Sequence, residues 1–365
     1  MAHTRTLVRP ASIHVNPAAR SDGWAVLDAL SFAYERGWLP ADLIHVTRQS
    51  LGTAEVRLAA SAILYHANAC RIYKAAPASW VRQLRTISDQ LGERPLESST
   101  PIQRSALGAL WRGLPSLSSV GYPAPSEWPR VRAPRRGNAG RVAPVVLAEV
   151  ESLLMQAEQA MFGEESETLT ATAQTLLSRH AAVARPGRGV EPTINSRHFH
   201  IEAPFASEKL LLLTSVAAAN QARVAWHAKV GIATVVGTTA SLNHVAILYG
   251  SLKRQAEMAV GRTREKGKTT INQRKSFLYG YAVRMGVRLA LADRNGARQA
   301  AEPGGPAAGT VEIYRHVDSK RANDTFQRML SRFATAEDPG SADLRKAVQT
   351  AAAGRILPPI SARAG

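Results

Sequence analysis

Between Val150 and Val183 the chain reads as two short amphipathic helices folded back on each other, and no other stretch limits the possible folds as tightly. Val150, Leu153, Leu154 and Ala157 recur at the i, i+3, i+4, i+7 spacing that places them on one helix face. Gly163 breaks that helix, and Glu164 and Glu165 then put negative charge where a new helix N-terminus favours it. Leu169, Ala173, Leu176, Leu177 and His180 follow at helical spacing until Pro186, Gly187 and Gly189 end the run. A connection this short sets two helices antiparallel.

Within this stretch Leu153, Leu154, Ala157, Glu158, Glu164, Glu165, Ala173, Gln174, Leu176 and Arg179 form the order LLxxAE…EE…AQxLxxR. That order resembles the domain-of-unknown-function 2786 family, with Leu177 where Met is common and with Thr168 and Thr170 where small or acidic residues are expected. The segments GWLPADLIHVTRQSLG, WHAKVGIATVVGTTASLNHVAILYGSLKRQA and SFLYGYAVRMGVRL are similar to the companions this family carries in long members. The resemblance thus extends loosely over residues 20–292, and it implies an architecture and no reaction.

Length allows two or three domains in 365 residues, and 45% hydrophobic residues exclude wholesale disorder. With aromatics at 6%, the cores must be built from Ala, Leu and Val. The net charge of +18 is the unusual quantity. Only 9 of the 46 cationic residues are Lys, so the surface is rich in guanidinium, whose planar fork bonds phosphate bidentately. A compositional bias toward Ala, Gly and Arg explains Arg over Lys, but not 46 basic against 28 acidic residues. Nucleic acid is therefore the expected partner, DNA ahead of RNA. Cys70 is the only cysteine, which excludes an intramolecular disulfide and a cysteine-based zinc site, and it reads as a small buried thiol. No apolar leader and no run of 18 apolar residues is present, so a cytoplasmic protein with no membrane partner is expected.

The expected fold class is α+β, predominantly α. Residues 1–20 read as a basic tail, and 21–115 as a helical domain whose first helix Ser21 or Asp22 caps and Gly37 stops. In that domain Pro40 opens a second helix, Thr53 caps a long one running through Lys74, and two more cover Trp80–Leu91 and Pro101–Trp111. Residues 116–144 are a Pro- and Arg-rich linker, 145–185 the helical hairpin, and 186–197 a second linker. Residues 198–295 read as α-β-β-α-α: helix Phe205–Gln221, a hairpin of Arg223–His227 and Ile232–Val236, then helices Thr239–Val260 and Thr270–Ala292. Residues 296–365 hold a loop, Glu302–Gly309, a helix over Lys320–Ala336 and a weak one near Leu344.

Ten Lys and Arg lie between Lys253 and Arg288 against only Glu257 and Glu265. Of these, Arg262, Arg264, Lys266, Lys268, Arg274, Lys275, Arg284 and Arg288 are the expected phosphate contacts, on and around a flexible loop over 261–275. Phe277, Tyr281, Arg284 and Arg288 share one stripe of the last helix, an aromatic and cationic pairing that suits single strands. Arg130, Arg132, Arg135, Arg136 and Arg141 form a basic arm for non-specific affinity. The bland reading of both regions is a solvated charged face.

His198 and His200 alternate, so on a strand they point the same way, and His227 ends a strand nearby; together they are weak candidates for a metal site. No HExxH or other diagnostic spacing supports them, and ordinary polar histidines are the simpler reading. Gly237–Ser241 lies between a strand and a helix, where a plain capping turn outweighs a phosphate loop. Glu149, Glu151, Glu158, Glu164, Glu165 and Glu167 read as a solvated face that could dock the chain's own basic segments. No nucleophile motif is present, so the expectation is a non-enzymatic nucleic-acid-associated protein without a cofactor, serving DNA maintenance or a mobile element. Its rivals are a metal-dependent enzyme built on the histidines and a protein-interaction adaptor built on the hairpin.

Overall fold

The computed structural model describes residues 17–91, 99–117, 120–128, 143–161, 163–183, 193–265, 270–301 and 308–334. It is an α+β protein, predominantly α, with a small antiparallel sheet. The chain divides into two compact units, one of residues 1–118 with 122–134 and one of 119–121 with 135–365. The arginines of the expected arm, Arg130, Arg132, Arg135, Arg136 and Arg141, lie outside the described residues, as do Lys266, Lys268 and the weak helix near Leu344.

In the first unit the helices are α1 (Pro17–Glu35), α2 (Pro40–Ser50), α3 (Thr53–Ala69), α4 (Ile72–Ala75), α5 (Ala78–Leu91) and α6 (Pro101–Arg112). The first helix starts ahead of Ser21 and Asp22, which fall inside it rather than at its cap. Gly37, at φ +89°, turns the chain from α1 into α2. The Asp42 carboxylate accepts the Leu39 N–H at 3.1 Å and closes the start of α2. The long helix from Thr53 stops at Ala69, short of Lys74, because Arg71 takes the left-handed conformation and brings Ile72 into the core. Cys70 at that break is exposed, not buried. Trp38 and Trp111 are fully buried, and their indole N–H groups donate to the Pro115 carbonyl (2.8 Å) and to Thr47 Oγ1 (3.2 Å). Part of the stretch read as a linker is packed: Leu117 and Trp128 are buried, with Trp128 edge-on to Trp80.

The second unit holds α7 (Pro144–Gln159), α8 (Gly163–Val183), β1 (Ile194–His200), α9 (Ala206–Ala219), β2 (Arg223–His227), β3 (Ile232–Thr238), α10 (Thr239–Glu265), α11 (Ile271–Ala300) and α12 (Ala308–Ala334). Residues 194–197, read as linker, are strand, so the order is β-α-β-β-α-α with a further helix. The sheet order is β1-β3-β2, both pairs antiparallel, and β3 is buried along its whole length. One sheet face, with Phe199, Val224, Trp226, Ala233 and Val235, joins a core with α7, α8, α9, α10 and α11. The other face, with Ile194, Ala225 and Val236, is covered by Phe326, Met329 and Leu330 of α12. The helical hairpin is therefore part of this unit's core: Val150, Leu154, Ala173 and Leu177 pack with Met285 and Leu289 of α11. The last helix begins at Ala308 rather than near Lys320, and Val311 in its first turn is buried.

Candidate nucleic-acid interface

The basic region falls on α10 and α11. Thr270 and Gln273 form a reciprocal capping box, in which Thr270 Oγ1 accepts the Gln273 N–H at 3.2 Å and Gln273 Oε1 accepts the Thr270 N–H at 2.8 Å. This box starts α11 at Ile271, and α10 continues to Glu265, so most of the flexible loop expected over 261–275 is helix. Arg264 lies in the last turn of α10. Towards their junction both helices are largely exposed, including Arg262, Lys275 and Phe277.

Among the described residues, the expected cations Arg262, Lys275, Arg284 and Arg288 meet protein partners. Glu167 of α8 is buried, and its Oε2 takes Arg284 Nε at 2.9 Å and Arg288 Nε at 2.6 Å. Both arginine side chains still reach solvent, 54% and 34% exposed. Arg262 donates to the Ala160 carbonyl at 3.1 Å, where the end of α7 leaves acceptors open. Lys275 lies 3.9 Å from the buried Glu208. Outside the expected set, Arg254 forks onto Glu158 at 2.7 and 2.9 Å while Ser251 donates to the same carboxylate at 2.6 Å. The Arg254 guanidinium holds the Glu158 carboxyl below its usual range. Glu158 and Glu167 are thus corrections to the solvated acidic face: they bind the chain's own arginines and tie the hairpin to α10 and α11.

The aromatic pair divides. Phe277 is 40% exposed and Tyr281 stacks beside it, with ring centroids 6.2 Å apart and planes at 20°. Tyr281 is anchored inward, its hydroxyl donating to Gln255 Oε1 at 3.1 Å, and burial pushes the phenol above its ordinary range. It supports Phe277 rather than offering a face of its own. Tyr279, outside the aromatic and cationic stripe expected from the sequence, is 47% exposed on α11.

Gln255 is the polar centre of this packing. Its Oε1 also accepts Ser166 Oγ at 2.9 Å, and its Nε2 donates to Thr170 Oγ1 and Ser251 Oγ, both at 3.1 Å. One buried amide therefore joins α8, α10 and α11. On another face of α8, that helix and α11 border an open groove of about 460 Å³ lined by Thr168, Thr172, Thr175, Arg288, Asn295 and Gln299 over Ala171, Leu176, Leu291 and Ala292.

The three histidines do share a sheet face. His198 is opposite Thr234, and His200 and His227 are both opposite Ile232 on its two sides. The last two are therefore two strands apart, roughly 10 Å between backbones. No group of three His, Cys, Asp or Glu side chains able to hold a metal occurs among the described residues. The turn after β3 is occupied by its own cap, since Thr238 Oγ1 accepts the Ser241 N–H at 3.1 Å. No described helix is long and apolar enough to cross a membrane.

Against known proteins, no family model, no curated protein and no solved structure matches this chain.

Proposed function

We propose that the protein is a nucleic-acid-associated binding protein that recognises the phosphate backbone through α10 and α11, with DNA the expected partner ahead of RNA. The observation that carries this reading is the Arg284–Arg288 pair. One buried carboxylate, that of Glu167, holds both guanidinium groups side by side through their Nε atoms while both side chains stay open to solvent. A lone solvated charge run has no such ordering. Each Arg loses less side-chain entropy on meeting a phosphate because its stem is already fixed. Phe277 continues the same surface toward the start of α11 and adds a stacking ring, while Lys275, on the α9 side of the helix beside Glu208, adds a cation outside that stripe. The net charge of +18 supplies the long-range attraction. The resemblance of the hairpin sequence to the domain-of-unknown-function 2786 family adds no activity to this reading.

The test is fluorescence anisotropy of labelled single-stranded and duplex DNA and RNA, titrated across salt. Contact with about five phosphates should give a log–log slope near −4.5 on duplex and a shallower one, near −3.5, on single strands. Changing Lys275, Arg284 and Arg288 to Ala should weaken binding at low salt and flatten the slope by about two to three. Absence of binding to every strand type at low salt would reject the reading.

A further inference from the structure

We propose that the groove between α8 and α11 is a subsite for one nucleotide of a single strand, an inference that rests on the nucleic-acid reading and gives its contact chemistry. The lining is ordered along α11. Arg288 stands at one end, Leu291 and Ala292 follow, and Asn295 and Gln299 stand at the other. Residues i, i+7 and i+11 fall on one helix face, and from Arg288 to Gln299 the rise is roughly 16 Å. The opposite wall is a threonine row on α8, Thr168, Thr172 and Thr175, at i, i+4 and i+7.

Thr168 and Thr172 donate their hydroxyl protons to carbonyls four residues back, those of Glu164 (2.8 Å) and Thr168 (3.0 Å), while the Thr175 hydroxyl is shared between the Ala171 carbonyl (3.0 Å) and the Ala292 carbonyl across the groove floor (3.2 Å). Their oxygens keep lone pairs for groups that donate, such as sugar hydroxyls or base amino groups. Asn295 Oδ1 accepts from Arg298, which leaves the Asn295 amide N–H groups for a ligand. Arg288 pairs with Glu167 at Nε, 2.6 Å from Oε2, and its terminal nitrogens can meet an anion. The groove therefore presents a cation, then an apolar floor beside acceptor oxygens, then paired amides. A nucleotide has that order: phosphate, then a sugar and the flat face of a base, then a base edge that Asn and Gln can read. A volume of about 460 Å³ lies in the range of sites that hold small molecules.

The experiment uses the full chain with AMP, CMP and inorganic phosphate as probes, followed by NMR of labelled Thr and Leu methyl groups. Beside it, anisotropy compares a single-stranded oligonucleotide with its abasic counterpart. AMP should bind at least tenfold more tightly than inorganic phosphate and shift the Thr172 and Leu291 methyl signals. The Asn295→Leu, Gln299→Leu double variant, checked for its fold by circular dichroism, should lose that tenfold advantage and keep its phosphate affinity. The filling variant Thr172→Trp should abolish AMP binding. AMP binding no tighter than phosphate, or an advantage that survives both variants, would overturn the subsite. If that happens while the oligonucleotide and its abasic form bind equally well, the backbone reading stands alone. Binding of AMP without any oligonucleotide binding would keep the groove as a nucleotide site and remove the nucleic-acid reading.

Discussion

At single residues, the plainest consequences of this packing come from a histidine and two glycines. His244 on α10 is buried, its Nε2 has no hydrogen-bond partner, and burial lowers its pKa from 6.5 to about 4 against a smaller opposing pull from Asp293. Above pH 6.5 the ring is neutral folded or unfolded, and stability is at its full value. As pH falls from about 6.5 to about 4, the unfolded chain takes up a proton that the fold refuses, and stability declines. The loss is on the order of 3 kcal/mol. His244→Leu is expected to flatten that part of the pH profile in urea denaturation, and an unchanged profile would count against a neutral buried ring. On α11, a Cβ at Gly296 would stand 2.4 Å from the Thr175 carbonyl oxygen and 2.8 Å from Ser178 Cβ, so α8 and α11 meet there backbone to backbone. Gly296→Ala should cost ~1–3 kcal/mol. Gly280 on the same helix has nothing within 4 Å of such an atom, and Gly280→Ala should instead stabilise by ~1 kcal/mol. Equal effects at the two positions would remove the close contact as the cause.

Among the elements, α11 has two roles that its aromatic residues separate. Tyr281 bonds inward to Gln255, whereas Phe277 is open to solvent. Tyr281→Phe should therefore lower stability by ~1 kcal/mol and leave oligonucleotide affinity alone. Phe277→Ala should weaken single-strand binding about tenfold, in line with the worth of one stacked base, with the melting temperature unchanged. The reverse pattern would assign Phe277 to the core. The sequence made the hairpin, β2, β3 and the start of α10 legible because apolar spacing and turn residues there agree. It hid β1, since Asn195–His200 has no β-branched residue and lies at a sheet edge whose face is closed by α12, far along the chain. Helix continuation past Val260 and Ala292 was hidden by Gly261, Asn295 and Gly296, residues that locally favour a break; of these, Gly296 is held in close contact with α8. That acidic residues of the hairpin could dock the chain's own basic segments was legible, but which ones do, Glu158 and Glu167, and onto which arginines, was not. Those carboxylates look solvated until arginines about a hundred positions later fold onto them.

Over the whole molecule the charge and the two cores act separately. The net +18 is a property of the chain, but among the described residues the protein-bound cations of the expected interface lie within residues 135–365. Each unit has its own buried centre, around Trp38, Leu64 and Trp111 in the first and around Leu213, Val235 and Met285 in the second. Separate cores give separate cooperative transitions unless something couples them. Calorimetry of the full chain should therefore show two transitions. A ligand that binds only the folded second unit raises only that unit's stability, by about 2.7 kcal/mol at a free concentration one hundred times its Kd. A single-stranded oligonucleotide at low salt should then move one transition upward and leave the other in place. The Arg284→Ala, Arg288→Ala variant should shift much less, and added salt should erase the shift in both proteins as counterions compete for the phosphates. Movement of the other transition alone would place the nucleic-acid contact on the first unit and remove α11 from it.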